Sequence, residues 1–337
     1  MRTSMFASLF LHWARLLALT RIIVIAAAVV TTDTAFAQGS SEDWKRCRDE
    51  NVDVSIAGCS VVIASGHEKR ENLAKAYGIR GTSYLAKREF DRAIEDFDQL
   101  IRLAPNDAKA FVNRGTAYWL KRQYDHAIQD FDQAIHLDPN GVAAWADRCS
   151  AYLNKGLYDR AIKDCDQAIQ LNPRLGESFN WRGAAYAGNK QYDRAIQDFD
   201  QAIRLRPNYA DAFYNRGGAY KAKGQYDRAI ADYDQAIRLK PFDADAFINR
   251  GNAYLAKGQY DPAIQDFDQA IRLKPDFAEA FYNRSIAKLK KGDTAGANAD
   301  IASAFYVRGL AKLKGGDIAG GNADIAKAKQ LNPNVGK

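Results

Sequence analysis

Residues 210–243, ADAFYNRGGAYKAKGQYDRAIADYDQAIRLKPFD, decide the fold of this 337-residue chain. Phe213, Gly217 and Tyr220 follow one another at spacings of four and three residues. Such spacings place three side chains on one face of an α-helix. The first part of the segment therefore predicts a helix with one apolar face.

A turn and a second helix complete the segment. Gly224 marks the turn, and Asp227 is the predicted N-cap of the second helix. Tyr233 lies on the apolar stripe of that helix, and Pro241 ends it because proline cannot continue a helix. The resulting helical hairpin can bury its apolar face only by stacking on similar hairpins.

The hairpin recurs along the chain with a fixed period. Six repeats fill the chain from Ala74 to Phe277 without an insertion or deletion. The place of a residue is its position counted from the start of its repeat, and the repeats begin at residues 74, 108, 142, 176, 210 and 244, with atypical ones at 278 and 302. Prolines at place 32 recur every 34 residues: Pro105, Pro139, Pro173, Pro207, Pro241 and Pro275.

An aromatic–Gly–Tyr–Ala–aromatic–Ala–Pro set occupies places 4, 8, 11, 20, 24, 27 and 32. This set resembles the signature of the tetratricopeptide repeat family, in particular of exported bacterial members, over about two thirds of the chain. The resemblance implies an all-α fold, a right-handed superhelical solenoid of antiparallel helix pairs. It also implies that the first helices form the concave inner wall and that the small residues at places 8 and 20 allow close helix packing.

Residues 1–37 have the composition of a secretory signal peptide. Arginines precede an apolar run over residues 22–30, and the segment ends in Ala-Phe-Ala. We expect cleavage after Ala37, a periplasmic or secreted location, and no transmembrane span in the mature chain. An uncleaved anchor is the alternative, although nine continuous apolar residues are fewer than the about 20 that span a bilayer.

Composition and charge exclude several classes of protein. The chain is 47 % hydrophobic and 26 % charged, as in ordinary globular proteins and unlike disordered or collagen-like chains. Its formal net charge of +7 becomes +5 without residues 1–37. That charge is mild for a chain of this length and argues against nucleic acid as the ligand.

All four cysteines lie outside the predicted signal peptide. Cys149 and Cys165 stand at places 8 and 24, where most repeats carry Gly and Phe, and Cys47 and Cys59 lie in a degenerate hairpin. In an oxidising compartment we expect the disulfides Cys47–Cys59 and Cys149–Cys165, each stabilising the fold by about 3 kcal/mol in the chain-entropy model. Four buried thiols in the core are the alternative.

An arginine at place 7 recurs together with an aspartate at place 23. We favour a ladder of partly buried salt bridges between the two helices of each repeat, because an unpaired buried aspartate would be costly. A row of guanidinium groups for an anionic ligand is the alternative. The pairs are Arg80 with Asp96, Arg114 with Asp130, Arg148 with Asp164, Arg182 with Asp198, Arg216 with Asp232, Arg250 with Asp266, Arg284 with Asp300, and Arg308 with Asp324.

The two ends depart from the regular repeat. Residues 38–73 are predicted to form a degenerate hairpin that caps the first repeat, before the six repeats over 74–277. Residues 278–337 form shortened repeats and a basic C-terminal cap, in which residues 281–304 are followed by a similar stretch over 305–328, a period of 24. Either residues 295–313 form one continuous helix, which we favour, or the two copies pack irregularly.

No motif for catalysis, for a metal or for a cofactor is recognised in the sequence. It contains no Gly-rich phosphate loop, no nucleophile elbow and no HExxH. We therefore expect a protein that is not an enzyme and carries no cofactor.

The family resemblance places ligands against the inner faces of the first helices. Aromatic and asparagine side chains there suit a peptide, since aromatic groups give contact area and amides bond a peptide backbone. The lysine of the chaperone-binding clamp is missing from place 5. The candidate peptide-binding residues are Val112, Asn113, Trp119, Asn180, Trp181, Tyr214, Asn215, Ile248, Asn249, Tyr282 and Asn283.

These observations predict a non-catalytic scaffold that binds an unidentified peptide or protein segment in its groove. The alternative is a cell-envelope factor that binds an anionic polymer or membrane surface through its basic C-terminal end. The lysines concerned are Lys288, Lys290, Lys291, Lys312 and Lys314.

Overall fold

The structure of the protein is a computed structural model that describes residues 42–65 and 68–336. These residues form seventeen α-helices and no strand. They divide into two compact units after Asn189, here called the N-terminal and the C-terminal unit.

The N-terminal unit contains α1 (Glu42–Cys47), α2 (Val52–Ala64), α3 (Arg70–Ala86), α4 (Phe90–Leu103), α5 (Ala108–Leu120), α6 (Tyr124–Leu137), α7 (Val142–Asn154), α8 (Tyr158–Leu171) and α9 (Gly176–Gly188). The C-terminal unit contains α10 (Tyr192–Leu205), α11 (Ala210–Ala222), α12 (Tyr226–Leu239), α13 (Ala244–Ala256), α14 (Tyr260–Leu273), α15 (Ala278–Lys290), α16 (Thr294–Lys314) and α17 (Ile318–Leu331). Within each unit, the first helices pack on the second helices that follow them, so the predicted all-α fold of tandem helix pairs is confirmed.

The small residue at place 8 lets the two helices of a repeat approach closely. A Cβ atom added to Gly115 would lie 2.6 Å from the ring of Phe131, and one added to Gly251 would lie 2.8 Å from the ring of Phe267. Both rings are fully buried. Glycine at place 8 and an aromatic ring at place 24 therefore fit each other sterically.

The predicted N-cap at Asp227 is wrong. Helix α12 begins at Tyr226 with Gln225 in the cap position, and Asp227 lies in the first helical turn. Gly224, at φ +72°, makes the turn tight enough for the helix to begin before the aspartate. The Asp227 carboxylate instead binds Lys257 of the next repeat.

The continuous helix predicted near the C-terminus is confirmed. Helix α16 runs without a break from Thr294 to Lys314. Its N-terminus is capped by the Asp293 side chain, which accepts a hydrogen bond from the backbone N–H of Gly296 at 2.8 Å. The shortened period thus joins the second helix of one repeat to the first helix of the next.

Both predicted cysteine pairs form disulfides. The sulfur atoms of Cys47 and Cys59 lie 1.99 Å apart and link α1 to α2. Those of Cys149 and Cys165 lie 2.01 Å apart and join the two helices of the third repeat. The second bridge occupies the positions of the glycine and the aromatic ring in neighbouring repeats.

The signal peptide predicted for residues 1–37 lies outside the described residues. Within residues 42–65 and 68–336, no helix is both long enough and apolar enough to cross a membrane. The boundaries proposed for the terminal caps remain predictions.

Candidate binding surface

The salt-bridge ladder is present in both compact units. In a representative repeat, Arg250 donates from Nε to Asp266 Oδ2 at 2.9 Å and from Nη2 to Asp266 Oδ1 at 2.6 Å. Asp266 is 4 % exposed. Burial raises the pKa of Asp266, and the hydrogen bonds from Arg250 oppose that rise. The same two-bond contact joins Arg80 with Asp96, Arg114 with Asp130, Arg148 with Asp164, Arg216 with Asp232, Arg284 with Asp300, and Arg308 with Asp324.

Each interior ladder arginine also binds a carboxylate of the preceding repeat, a contact that the sequence analysis did not predict. Arg250 donates from Nη1 to Asp234 at 2.6 Å. The recurrence of aspartate at place 25 is the sequence signal for it. Because these guanidinium groups are shared between two carboxylates, they favour the structural interpretation over an anionic ligand. The other such contacts are Arg114 with Asp98, Arg148 with Asp132, Arg182 with Asp166, Arg216 with Asp200, and Arg284 with Asp268.

Five of the eleven candidate peptide-binding residues are buried. A peptide could contact a buried side chain only if the helices moved apart. The five buried candidates therefore fit a packing role in the present conformation. Their exposures are 7 % for Trp119, 3 % for Asn180, 8 % for Trp181, 2 % for Ile248 and 5 % for Asn249. Sequence spacing did not predict this burial, because side chains at places 5, 6 and 12 also face a neighbouring repeat.

Asn249 is engaged in an internal network. Its Oδ1 accepts a hydrogen bond from Lys221 Nζ at 2.5 Å, and its Nδ2 donates to the Tyr214 hydroxyl at 2.8 Å and to the Asp245 carbonyl at 3.0 Å. Burial lowers the pKa of Lys221 to about 8, although the charge of Glu279 opposes this. The Asn249 amide therefore links two first helices, α11 and α13, instead of facing a ligand.

The other six candidates retain accessible surface. Asn283 donates to Asn252 at 2.9 Å, so its amide is partly used. Asn113 differs, because its half-buried amide has no hydrogen-bond partner in the described part of the chain. Trp119, on the same helix α5, has a buried Nε1 without a partner there. The accessible candidates are Val112, Asn113, Tyr214, Asn215, Tyr282 and Asn283.

Three lysines of the basic C-terminal end form internal ion pairs. Lys288 lies 2.9 Å from Asp300, and Lys312 lies 3.0 Å from Asp324. Lys291 binds Asp261 of the preceding repeat. Three of the five lysines assigned to an anionic surface thus stabilise the fold, which weakens that alternative.

The described ranges 42–65 and 68–336 contain no group of three or more His, Cys, Asp or Glu side chains placed to hold a metal ion. The candidate surface therefore consists of amides, aromatic rings and aliphatic side chains. Its chemistry suits hydrogen bonding and apolar contact with a polypeptide.

Comparisons with known proteins relate the chain to helical repeat proteins. Family models described as "TPR repeat" match residues 189–224, 217–258 and 251–292, and those described as "Tetratricopeptide repeat" match residues 80–142 and 142–175. No curated protein sequence matches the chain.

Several solved structures are similar to the chain. The Cut9–Hcn1 hetero-tetramer of the APC/C has a TM-score of 0.60 at 17 % identity, covering 85 % of this chain and 54 % of that one. A tetratricopeptide repeat protein from Parabacteroides merdae ATCC 43184 has a TM-score of 0.56 at 20 % identity, covering 68 % and 91 %. YrrB, described as a TPR protein with an unusual peptide-binding site, has a TM-score of 0.44 at 24 % identity, covering 56 % and 96 %. The first two likenesses show the fold alone.

Proposed function

Because the chain belongs to the tetratricopeptide repeat family, we propose that it is a non-catalytic scaffold that binds a peptide or protein segment along its first helices. The observation that carries this proposal is the Asn113 amide, half-buried on α5 and without a partner in the described residues. A partly buried amide gains free energy when a peptide carbonyl and N–H complete its hydrogen bonds. Val112, half-buried beside it, supplies apolar contact.

We also propose that the protein acts after export. The composition of residues 1–37 and the two disulfides support an oxidising compartment, such as the periplasm or the exterior of the cell. The unidentified partner would then be an envelope or secreted protein.

The test is capture of proteins from an envelope extract by the immobilised chain. We expect the double variant Val112→Ala/Asn113→Ala to lose a partner that the parent captures. Asn322→Ala is the matched control, because Asn322 is an exposed asparagine on the second helix α17. Circular dichroism must show all three proteins equally folded.

Equal capture by the parent and the double variant would contradict the assignment to α5. A captured protein is next divided into synthetic peptides, and their binding to the parent and the double variant is measured by fluorescence anisotropy. Release of the partner between about 50 and 200 mM salt would favour the charged C-terminal end instead.

A further inference from the structure

Two side chains of α15 are exposed at places that are covered in other repeats. Tyr282, at place 5, is 55 % exposed, and Leu289, at place 12, is 46 % exposed. Their counterparts Ile248 at place 5 and Leu85 at place 12 are each 2 % exposed. Places 5 and 12 of α15 therefore lack, among the described residues, the neighbouring group that covers them in other repeats.

In regular repeats the cover comes from the next first helix. Ile248 belongs to a buried cluster that includes Ala280 and Ala287, at places 3 and 10 of α15. Leu85 shares a buried cluster with Ala110 and Ala117, at the same places of α5. The small residues of one first helix thus form a stacking seam with places 5 and 12 of the preceding one.

The helix that should cover α15 carries this small-residue face but leaves its place 10 open. Ala311, at place 10 of the last repeat, is exposed, whereas Ala287 and Ala253 at place 10 are fully buried. Ala304, at place 3, is buried at 9 % exposure, so one more stacking seam is open at Ala311 on one side and at Tyr282 and Leu289 on the other.

The shortened period explains why the two halves do not meet. Ten residues are missing before Phe305, and in a regular repeat they form the end of the second helix, the Pro turn and the start of the next first helix. Residues 305–314 therefore continue the axis of α16. The ion pairs follow this division: Asp300 on the first part of α16 binds Arg284 of α15, whereas Arg308 on the second part binds Asp324 of α17. The last hairpin is thereby carried away from its stacking site.

We propose that two copies of the chain exchange their last hairpins, residues 305–331. In this two-fold dimer, the Ala311 face of each copy covers Tyr282 and Leu289 of the other, so both open seams are closed. A connection too short to turn back favours such domain swapping, and the new contact continues the stacking interface of the repeats. This inference goes beyond the proposed function, because it concerns α15–α17 and not α5.

The test is the mass of the full-length chain by sedimentation equilibrium over a range of concentrations. We expect a dimer. Insertion of a second copy of residues 271–280 between Ala304 and Phe305 restores the 34-residue period. The hairpin of this variant can fold back on its own α15, so we expect a monomer.

A second variant keeps the test decisive if the insertion does not fold. Ala311→Arg places a charged helix-forming side chain in the proposed seam, and we expect the dimer dissociation constant to rise at least about tenfold. Phe242→Ser is the control, since Phe242 is 85 % exposed and lies outside the seam, and its dimer should be unchanged. A monomeric parent, a dimeric insertion variant, or a dimer unaffected by Ala311→Arg would each overturn the proposal. Binding at α5 is read separately, so either proposal can fail alone.

Discussion

The salt-bridge ladder provides the sharpest test of how this protein is stabilised. Arg250→Met keeps a long side chain on α13 but removes the guanidinium from two carboxylates. Asp266 has a side chain that is 6 % exposed and would be left as a buried charge. Asp234, whose side chain is 47 % exposed, would be solvated instead.

The expected size of the effect follows from these exposures. Removing one partner of a buried pair costs about 3–5 kcal/mol, whereas a half-exposed pair contributes about 0–1 kcal/mol. We therefore expect Arg250→Met to lower the free energy of unfolding by about 3–4 kcal/mol, nearly all of it through Asp266. Asp234→Asn alone should cost less than about 1 kcal/mol.

The assay is denaturant unfolding followed by circular dichroism at pH 7.5, with hydrogen exchange to locate the loss of protection. Repeat proteins unfold locally, so the largest loss should lie in α13, α14 and their neighbours. Arg308→Met is the matched control. The side chain of Arg308 is 52 % exposed, and its partner Asp324 would keep the ion pair with Lys312 at 3.0 Å, so this variant should cost clearly less.

The stability deficit of Arg250→Met should depend on pH, and the sign of that dependence follows from the pKa of Asp266. Burial raises the folded-state pKa of Asp266, and removal of Arg250 removes the interaction that opposes the rise. A raised carboxyl pKa favours folding below the unfolded value of about 4, and this stabilisation is lost as pH rises through the folded pKa. The deficit of Arg250→Met should therefore be smaller at pH 4.5 than at pH 8. A cost below about 1 kcal/mol, or one equal to that of Arg308→Met, would refute the reasoning.

Three further predictions concern single sites. Ser178 is fully buried and its Oγ has no partner in the described part of the chain, whereas the other five 34-residue repeats carry alanine at its place. Ser178→Ala should therefore raise stability by about 1–2 kcal/mol in thermal unfolding. Arg122 adopts φ 61°, so Arg122→Gly should raise stability by about 1 kcal/mol, and a lower melting temperature would contradict this. Burial raises the pKa of Asp243 to about 7, so its stabilising effect is present below about pH 4 and lost by pH 8. Asp243→Asn keeps the N-cap oxygen, so this variant should be more stable than the parent at pH 8 but not at pH 4. Asp107→Asn, at the N-cap of α5, is the control and should change stability less.

The sequence alone determined the repeat, its helix pairs and the partners within a repeat. Strict spacing of 34 residues fixes which side chains face each other, because each hairpin presents the same face to the same neighbour. The disulfides and the ladder pairs could be predicted for this reason, since each joins places within one hairpin. The continuous helix α16 could likewise be predicted, because no breaker interrupts residues 297–308.

Only the tertiary structure decided which inner-face residues are accessible. Ile248 and Tyr282 share place 5, yet one is 2 % and the other 55 % exposed, because cover depends on the neighbouring helix. The network around Asn249 and the second carboxylate on each interior ladder arginine also join different repeats. Spacing within one repeat specifies its own hairpin, whereas contacts between repeats depend on how the hairpins stack, and the open seam at α15 arises where that stacking stops.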